Sequence, residues 1–322
     1  MYWQTARFRI DLSAPRIMGI VNATPDSFSD GGQHAGLRAQ LAHCERLLRE
    51  GADILDIGGE STRPGSAPVP LAEELARVLP LVREAVKLGA PVSVDTSKPE
   101  VMAAALDAGA DIINDIWALR RAGESGAALD VAARHPACGL CLMHMHGDPQ
   151  TMQAQPMTGD AVSAVLAFLR ERRDALTARG IARARIVLDP GIGFGKTGAQ
   201  NFALLARQRE LLALGQPLLA GWSRKSALGA ALMDPPRSPA AQGALPPEGD
   251  EAPAAPVPGA SAALGRPGGG GITPPRAREV VSVTAALLAI ERGARIVRVH
   301  DVATTAQAVK IWLAMNHEST SP

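Results

Sequence analysis

The sequence predicts an α/β protein folded as one closed (β/α)8 barrel, and three observations carry that expectation. Eight short apolar runs recur along the 322 residues, each followed by a polar or glycine-rich turn and a helix-like segment. Glycine leads the residues just before several runs, as in Gly51-Ala-Asp53, Gly109-Ala-Asp111 and Gly293-Ala-Arg295, with Gly89-Ala90 as a shorter echo. Charged and amide side chains then fall at the carboxyl ends of the runs.

The runs are residues 16–21, 53–57, 91–94, 111–113, 139–143, 185–188, 217–220 and 295–299. Continuous apolar stretches of this length, bounded by turns, suit parallel strands buried on both faces. The glycines follow helix-like segments such as 47–50 and 287–292, where a left-handed cap can lead straight into the next strand. Strand, helix, capping glycine and strand, repeated eight times, is the order of a TIM-type barrel. An open doubly wound sheet is the alternative. It is disfavoured because no Gly-x-Gly-x-x-Gly follows the first run.

Length and composition narrow the class. Dividing by about 150 residues per domain suggests two domains, but residues 235–277 distort that figure. This stretch holds 11 of the 25 prolines and 8 of the 32 glycines. Such a composition buries too little apolar surface to offset ordering entropy, so it reads as a flexible insertion before the last helix–strand unit. Taking its 43 residues from 322 leaves 279, the size of one barrel domain. With 33 basic against 32 acidic residues and 3% aromatics, the chain lacks the basic surplus and stacking platform of a nucleic-acid binder. Three cysteines make no disulfide framework, and Arg7, Arg9 and Asp11 interrupt any secretory leader. No apolar run approaches the roughly 18 residues of a membrane span. A soluble cytoplasmic protein without membrane or nucleic-acid partners is expected.

The strand ends carry the functional signal. Asn22, Asp95, Asn114, His144 and Asp189 each close a run, Lys225 lies just beyond one, and Arg298 and His300 alternate on the last. Any one of these could be a helix cap or turn former. Seven run ends so marked, converging on one barrel mouth, indicate a binding site, since buried charges must pair with each other or with a ligand. Asp95, Asn114, Asp189 and Lys225 can satisfy a flat heterocycle with an amidine-like edge. Arg298, His300 and Asn22 suit an anion or a metal–phosphate group.

Longer motifs then identify a resemblance. Asn22-Ala-Thr-Pro-Asp-Ser-Phe-Ser-Asp-Gly-Gly32 and Asp56-Ile-Gly-Gly-Glu-Ser-Thr-Arg-Pro-Gly65 closely resemble the two signatures of the dihydropteroate synthase family. Val94-Asp95-Thr-Ser97, Ile113-Asn114-Asp115, Leu142-Met-His-Met145, Asp189-Pro-Gly-Ile-Gly-Phe-Gly-Lys196, Gly221-Trp-Ser-Arg-Lys-Ser226 and Arg298-Val-His-Asp-Val302 follow in the family's order. The likeness covers nearly everything except the insertion and a few terminal residues.

The resemblance implies a transferase of folate biosynthesis and a sulfonamide target. It would join 6-hydroxymethyl-7,8-dihydropterin diphosphate to p-aminobenzoate. Asp95, Asn114, Asp189 and Lys225 would hold the pterin ring. Asn22, Arg298 and His300 would hold the diphosphate, with Mg²⁺ near Asn22. Thr62, Arg63 and Pro64, with Phe194 and Ser226, would shape the p-aminobenzoate pocket. Asp26, Phe28 and Asp30 would lie in a closing first loop, and a homodimer is expected. Two rivals share the ring site: a pterin-binding module without catalysis, disfavoured by both intact loop signatures, and a methyltetrahydrofolate methyltransferase-type barrel. The second would not carry Ser223-Arg-Lys-Ser226 and Arg298-Val-His300 together with both loops.

Other motifs read more plainly. His144 and His146 suit polar lining better than a metal pair. Cys138-Gly-Leu-Cys141 lies inside an apolar strand and reads as buried thiols. Gly191-x-Gly-x-Gly195 is expected to bring backbone close to the pterin edge rather than to cradle phosphate. One departure stands out: Val281 occupies the family's glycine position in Arg278-Glu-Val-Val281-Ser282, and a positive φ there would strain it.

Overall fold

The computed structural model describes residues 1–23, 32–63, 65–120, 126–233 and 275–318. The chain opens on a hairpin, β1 (Tyr2–Gln4) against β2 (Arg9–Asp11), with Trp3 opposite Ile10. There follow β3 (Arg16–Asn22), α1 (Gly32–Glu50), β4 (Ile54–Gly58), α2 (Leu71–Ala85), β5 (Val92–Asp95) and α3 (Pro99–Asp107). Next come β6 (Ile112–Asp115), α4 (Ala127–Arg134), β7 (Gly139–Met143), α5 (Ala161–Ala178), β8 (Ile186–Asp189) and α6 (Gly198–Ala206). The chain ends with β9 (Leu218–Ala220), α7 (Ser226–Met233), α8 (Pro275–Glu291), β10 (Ala294–Val299) and α9 (Val302–Glu318).

Strands β3 to β10 pair in chain order as a closed parallel barrel, with β10 returning to β3 and Val297 opposite Ile17. All eight expected runs are these strands, with ends shifted by two residues at most. Gly51, Gly89, Gly109 and Gly293 take the expected left-handed conformation, with φ of 107°, 76°, 101° and 94°. Local chemistry starts several helices. Asp160 caps α5 by accepting from Val162 N at 3.1 Å, and Thr197 with Gln200 forms a reciprocal box at the start of α6.

The period of two along a strand decides where the polar residues point. Met18, Ile54, Ile112, Cys141, Val187, Leu219 and Ile296 form one buried cluster inside the barrel. Two residues further along the same inner faces stand Asp56, Asn114, Asp189 and Arg298. An apolar floor thus lies beneath a polar mouth. The floor is closed from below by Trp3, Ile10 and Leu12 of the hairpin region, all in the same cluster. Trp3 Nε1 donates to Arg185 O at 2.9 Å. The loop of the hairpin is tied down by Arg7, whose Nε and Nη2 donate to buried Asp111 at 3.0 and 2.6 Å.

The sequence did not announce this hairpin. Its strands have three residues each, and its arginines read there only as interruptions of a leader. Two expectations are corrected. The insertion was expected to run to Ala277, yet α8 begins at Pro275, a favoured first helical residue. Val281 is not strained, because it lies inside α8; the non-glycine residues of positive φ among the described residues are Ala118, Leu119 and Arg224. Asp26, Phe28, Asp30, Pro64 and residues 234–274 lie outside the described residues.

Candidate active site

The mouth of the barrel gathers most of the expected residues, and Arg298 is its centre. From β10 its Nε donates to Asp56 Oδ2 and its Nη2 to Asp95 Oδ2, both at 2.6 Å. Asp56 on β4 is fully buried and also receives Asn114 Nδ2 at 3.3 Å. One guanidinium therefore serves two buried carboxylates. Burial raises Asp95 to about 7, against the pull of Arg298 and with the push of Asp56. Burial also opposes the Arg298 charge, but the two carboxylates more than offset it and hold its pKa above the ordinary value. Asp56 sits in mid-run rather than at a strand end, so reading strand ends alone passed over it.

Across the mouth, Asp189 ends β8 and accepts Gly191 N–H at 2.7 Å. Burial raises its pKa, opposed by that N–H and by Lys225 and Lys196. Burial lowers Lys225 to about 8, against the attraction of Asp189. Its Nζ stands 4.2 Å from the centroid of the Phe194 ring, joining two residues expected in different parts of the site. Phe194 packs with Ile116, Met143, Met145 and Met152, an apolar wall suited to a planar ring.

The turn after β8 is shaped by backbone contact. A Cβ on Gly191 would lie 1.9 Å from His144 O, and one on Gly195 would lie 2.2 Å from His146 O. These glycines let the turn press on the backbone just beyond β7. Lys196, whose role the sequence did not reveal, locks the turn from beneath. Its Nζ donates to the carbonyls of His144, Gly191 and Phe194 at 3.3, 2.7 and 3.1 Å. Burial lowers it to about 7.

His300 is fixed by Ser223. The serine Oγ lies 3.0 Å from His300 Nδ1 and accepts the His300 backbone N–H at 3.1 Å. When the hydroxyl gives its proton to Nδ1, Nε2 carries the ring proton and can donate. Burial, with Arg224 and Arg298 nearby, lowers His300 to about 3, so the ring is neutral. The preceding turn carries Arg224 at φ 59°. Its N–H donates to Ser282 Oγ at 3.0 Å and its Nη2 to Asp301 Oδ1 at 2.6 Å.

The remaining expected residues are more dispersed. Asn22 ends β3 and is exposed. Its side-chain carbonyl is a hard oxygen donor, and Mg²⁺ is commonly held by one or two protein oxygens plus substrate phosphates. Among the described residues no group of three His, Cys, Asp or Glu could hold a metal ion, so Asn22 fits the magnesium role only with phosphate oxygens completing the shell. Thr62 lines a cavity of about 180 Å³ with Asp95, Thr96 and Trp117; Phe194 and Ser226 do not line it. Arg63, after β4, and Ser226, at the start of α7, are exposed. His144 is buried edge-on to Phe168 at 5.0 Å, whereas His146 is exposed, so the two do not converge. Cys138 and Cys141 are buried free thiols.

Comparison with known proteins agrees with this geometry. The profile of the pterin-binding enzyme family matches residues 18–246. Dihydropteroate synthase of Neisseria meningitidis serogroup C is 45% identical over 316 residues, spanning 97% of each chain. The Xanthomonas albilineans dihydropteroate synthase solved with 4-aminobenzoic acid superposes with a TM-score of 0.77 at 43% identity, covering 98% of this chain and 96% of that one. The Burkholderia cenocepacia dihydropteroate synthase solved with 7,8-dihydropteroate gives 0.77 at 43% identity, covering 99% and 97%. On that family match and on identity over almost the whole chain, the chain belongs to the dihydropteroate synthase family of pterin-binding enzymes.

Proposed function

We propose that the chain condenses 6-hydroxymethyl-7,8-dihydropterin diphosphate with p-aminobenzoate, releasing pyrophosphate and 7,8-dihydropteroate. The observation that carries this is the gathering of Asp56, Asp95, Asn114, Asp189 and Lys225 around Arg298 over an apolar floor. Carboxylate, amide and ammonium groups match the donor and acceptor edges of a pterin. Arg298 and the Nε2–H of His300 face the same mouth and offer donors to a diphosphate.

In the reaction, the exocyclic carbon–oxygen bond breaks and its electron pair leaves with pyrophosphate. The arylamine nitrogen then bonds to that carbon and loses a proton. Asp189 accepts from the ring's amino edge and stabilises positive charge developing on the dihydropterin. Lys225 donates to the ring and contacts Phe194, which holds the incoming aromatic amine in place. Asn22 would hold Mg²⁺, which would neutralise the leaving pyrophosphate. Thr62, Arg63 and Pro64 would complete the p-aminobenzoate pocket with Phe194 and Ser226. A homodimer in the cytoplasm is the setting we propose.

Pyrophosphate release tests the reading. Purified protein should turn over many equivalents of pyrophosphate from the dihydropterin diphosphate only when p-aminobenzoate is present, and a sulfonamide should compete. Sustained multiple turnover without p-aminobenzoate would indicate a hydrolase. Tight pterin binding with no release would return the non-catalytic module.

A further inference from the structure

Beneath the loop that follows β4 lies a charge network that the mechanism does not use. Lys98, the residue before α3, donates through Nζ to Glu60 Oε2 and to Glu74 Oε2. Glu74 sits in the first turn of α2 with 1% exposure, and its other oxygen accepts Thr96 Oγ1 at 2.6 Å. A buried carboxylate needs such partners, because desolvation without pairing is costly. Glu60 is different. It belongs to the loop itself, directly before Ser61, Thr62 and Arg63.

The loop is anchored at its base by a second contact. Arg77 of α2 donates to Gly59 O at 2.7 Å, and a Cβ on Gly59 would lie 2.7 Å from Val78 Cγ2. Beyond Glu60 the holds are hydrogen bonds without a charged partner, the first being Ser66 Oγ to Ser61 Oγ at 3.0 Å. Ser66 N–H donates to Arg63 O at 3.1 Å, and Gly65 N–H reaches Pro149 O at 3.3 Å. Glu60 is therefore the ion-paired side chain nearest before Thr62. Its partner Lys98 is three residues beyond Asp95, on the segment that leaves β5 through Thr96.

We infer that Lys98 is a positioning residue for the second substrate, because it ties Glu60, and hence the loop bearing Thr62 and Arg63, to the segment that leaves the ring-binding strand. This rests on the function proposed above. Lys98 touches neither substrate in this reading; it acts through Glu60. Loss of the tie should weaken capture of p-aminobenzoate while leaving the pterin pocket intact.

The test compares Glu60→Gln, Lys98→Met and the double variant in the full chain. Glu60→Gln keeps the Lys98–Glu74 pair, so it remains informative if Lys98→Met fails to fold. The KM for p-aminobenzoate should rise about tenfold in Glu60→Gln, with the KM for the dihydropterin diphosphate changed less than about twofold. In the double variant the rise should be no larger than in Lys98→Met alone, because both changes cut one tie. Lys98→Arg should recover most of the loss. Equal rises in both KM values, or an unchanged p-aminobenzoate KM, would overturn the inference. Amide exchange gives a readout independent of turnover: residues 59–66 should exchange faster in Glu60→Gln while β5 does not, and unaltered exchange would also overturn it. Wild-type protein run alongside separates this outcome from failure of the proposed reaction itself.

Discussion

Arg298 donates to Asp95 at 2.6 Å while the same guanidinium also holds Asp56, so two buried acids share one cation. Burial raises Asp95 to about 7 against the pull of Arg298, and the Asp56 carboxylate adds to the rise.

This sharing sets the pH range for ring binding. Asp95 must be ionised to accept two N–H donors, and Lys225, lowered to about 8, must be charged to donate. Affinity for a non-reactive pterin should therefore peak between about 7 and about 8 and fall about tenfold per pH unit below that range. Stability moves the other way for the ligand-free protein. A carboxyl raised from 3.8 to about 7 favours the fold at low pH, and that contribution is lost as pH rises through the folded value. Asp95→Asn should thus gain stability relative to wild type between about pH 4 and pH 7, and lose the acid limb of pterin binding. Titration calorimetry across pH checks the first part, and urea unfolding checks the second. A flat affinity profile from pH 5 to 7 would refute the raised Asp95 carboxyl as its cause.

The Ser223–His300 pair carries a second expectation. Ser223→Ala removes the hydroxyl that meets Nδ1 and that, by donating to it, favours the Nε2–H tautomer, so the neutral ring should populate both tautomers. Nitrogen chemical shifts of His300 should report the change directly. The KM for the diphosphate substrate should rise several-fold, to about the cost of one hydrogen bond of roughly 1 kcal/mol, with the p-aminobenzoate KM unmoved. Because His300 is lowered to about 3, neither protein should show a histidine limb between pH 5 and 8.

The fold was legible because each barrel strand is a continuous apolar run, and continuity survives without knowledge of neighbours. The site was legible wherever a polar residue ends such a run, as at Asp95, Asn114 and Asp189. It was less so where function depends on a partner far along the chain. Asp56 interrupts a run and gains meaning only from Arg298, 242 positions away. Lys98 reads as a helix-start lysine until Glu60 and Glu74 are placed beside it. The hairpin floor escaped because a three-residue strand is too short for its alternation to register, and Trp3 is fully buried only by the barrel that follows it.

Trp3 gives the corresponding stability test. It fills the bottom of the barrel at 0% exposure, on the far side of the apolar floor from Asp95. Trp3→Ala should cost about 3–5 kcal/mol of stability through lost contacts and the cavity left behind. Turnover by the folded fraction should be unchanged. A drop in kcat at temperatures where the variant is fully folded would mean that the floor and the mouth are mechanically coupled.

Composition predicts that residues 235–277 contribute little to the reaction. Because α8 begins at Pro275, the informative variant replaces 235–274 with a short Gly-Ser connector and keeps Pro275. Pyrophosphate release should stay within about twofold of wild type, since each doubling of loop length costs only about 0.6 kcal/mol in closure entropy. A collapse of activity would assign the insertion a structural role.

Arg224 separates strain from pairing. Its φ of 59° is one that an L-residue adopts at a cost of about 1 kcal/mol, and its exposed pair with Asp301 returns about 0–1 kcal/mol. Arg224→Gly relieves the strain and loses the pair, so its net stability change should lie within about 1 kcal/mol of zero. Arg224→Ala loses the pair and keeps the strain, so it should be less stable than the glycine variant by about 1 kcal/mol. The comparison is made by urea unfolding of both variants. Equal stabilities would show that the backbone at 224 relaxes when the side chain goes. That would mean the side-chain pair with Asp301 imposes the left-handed turn preceding Lys225.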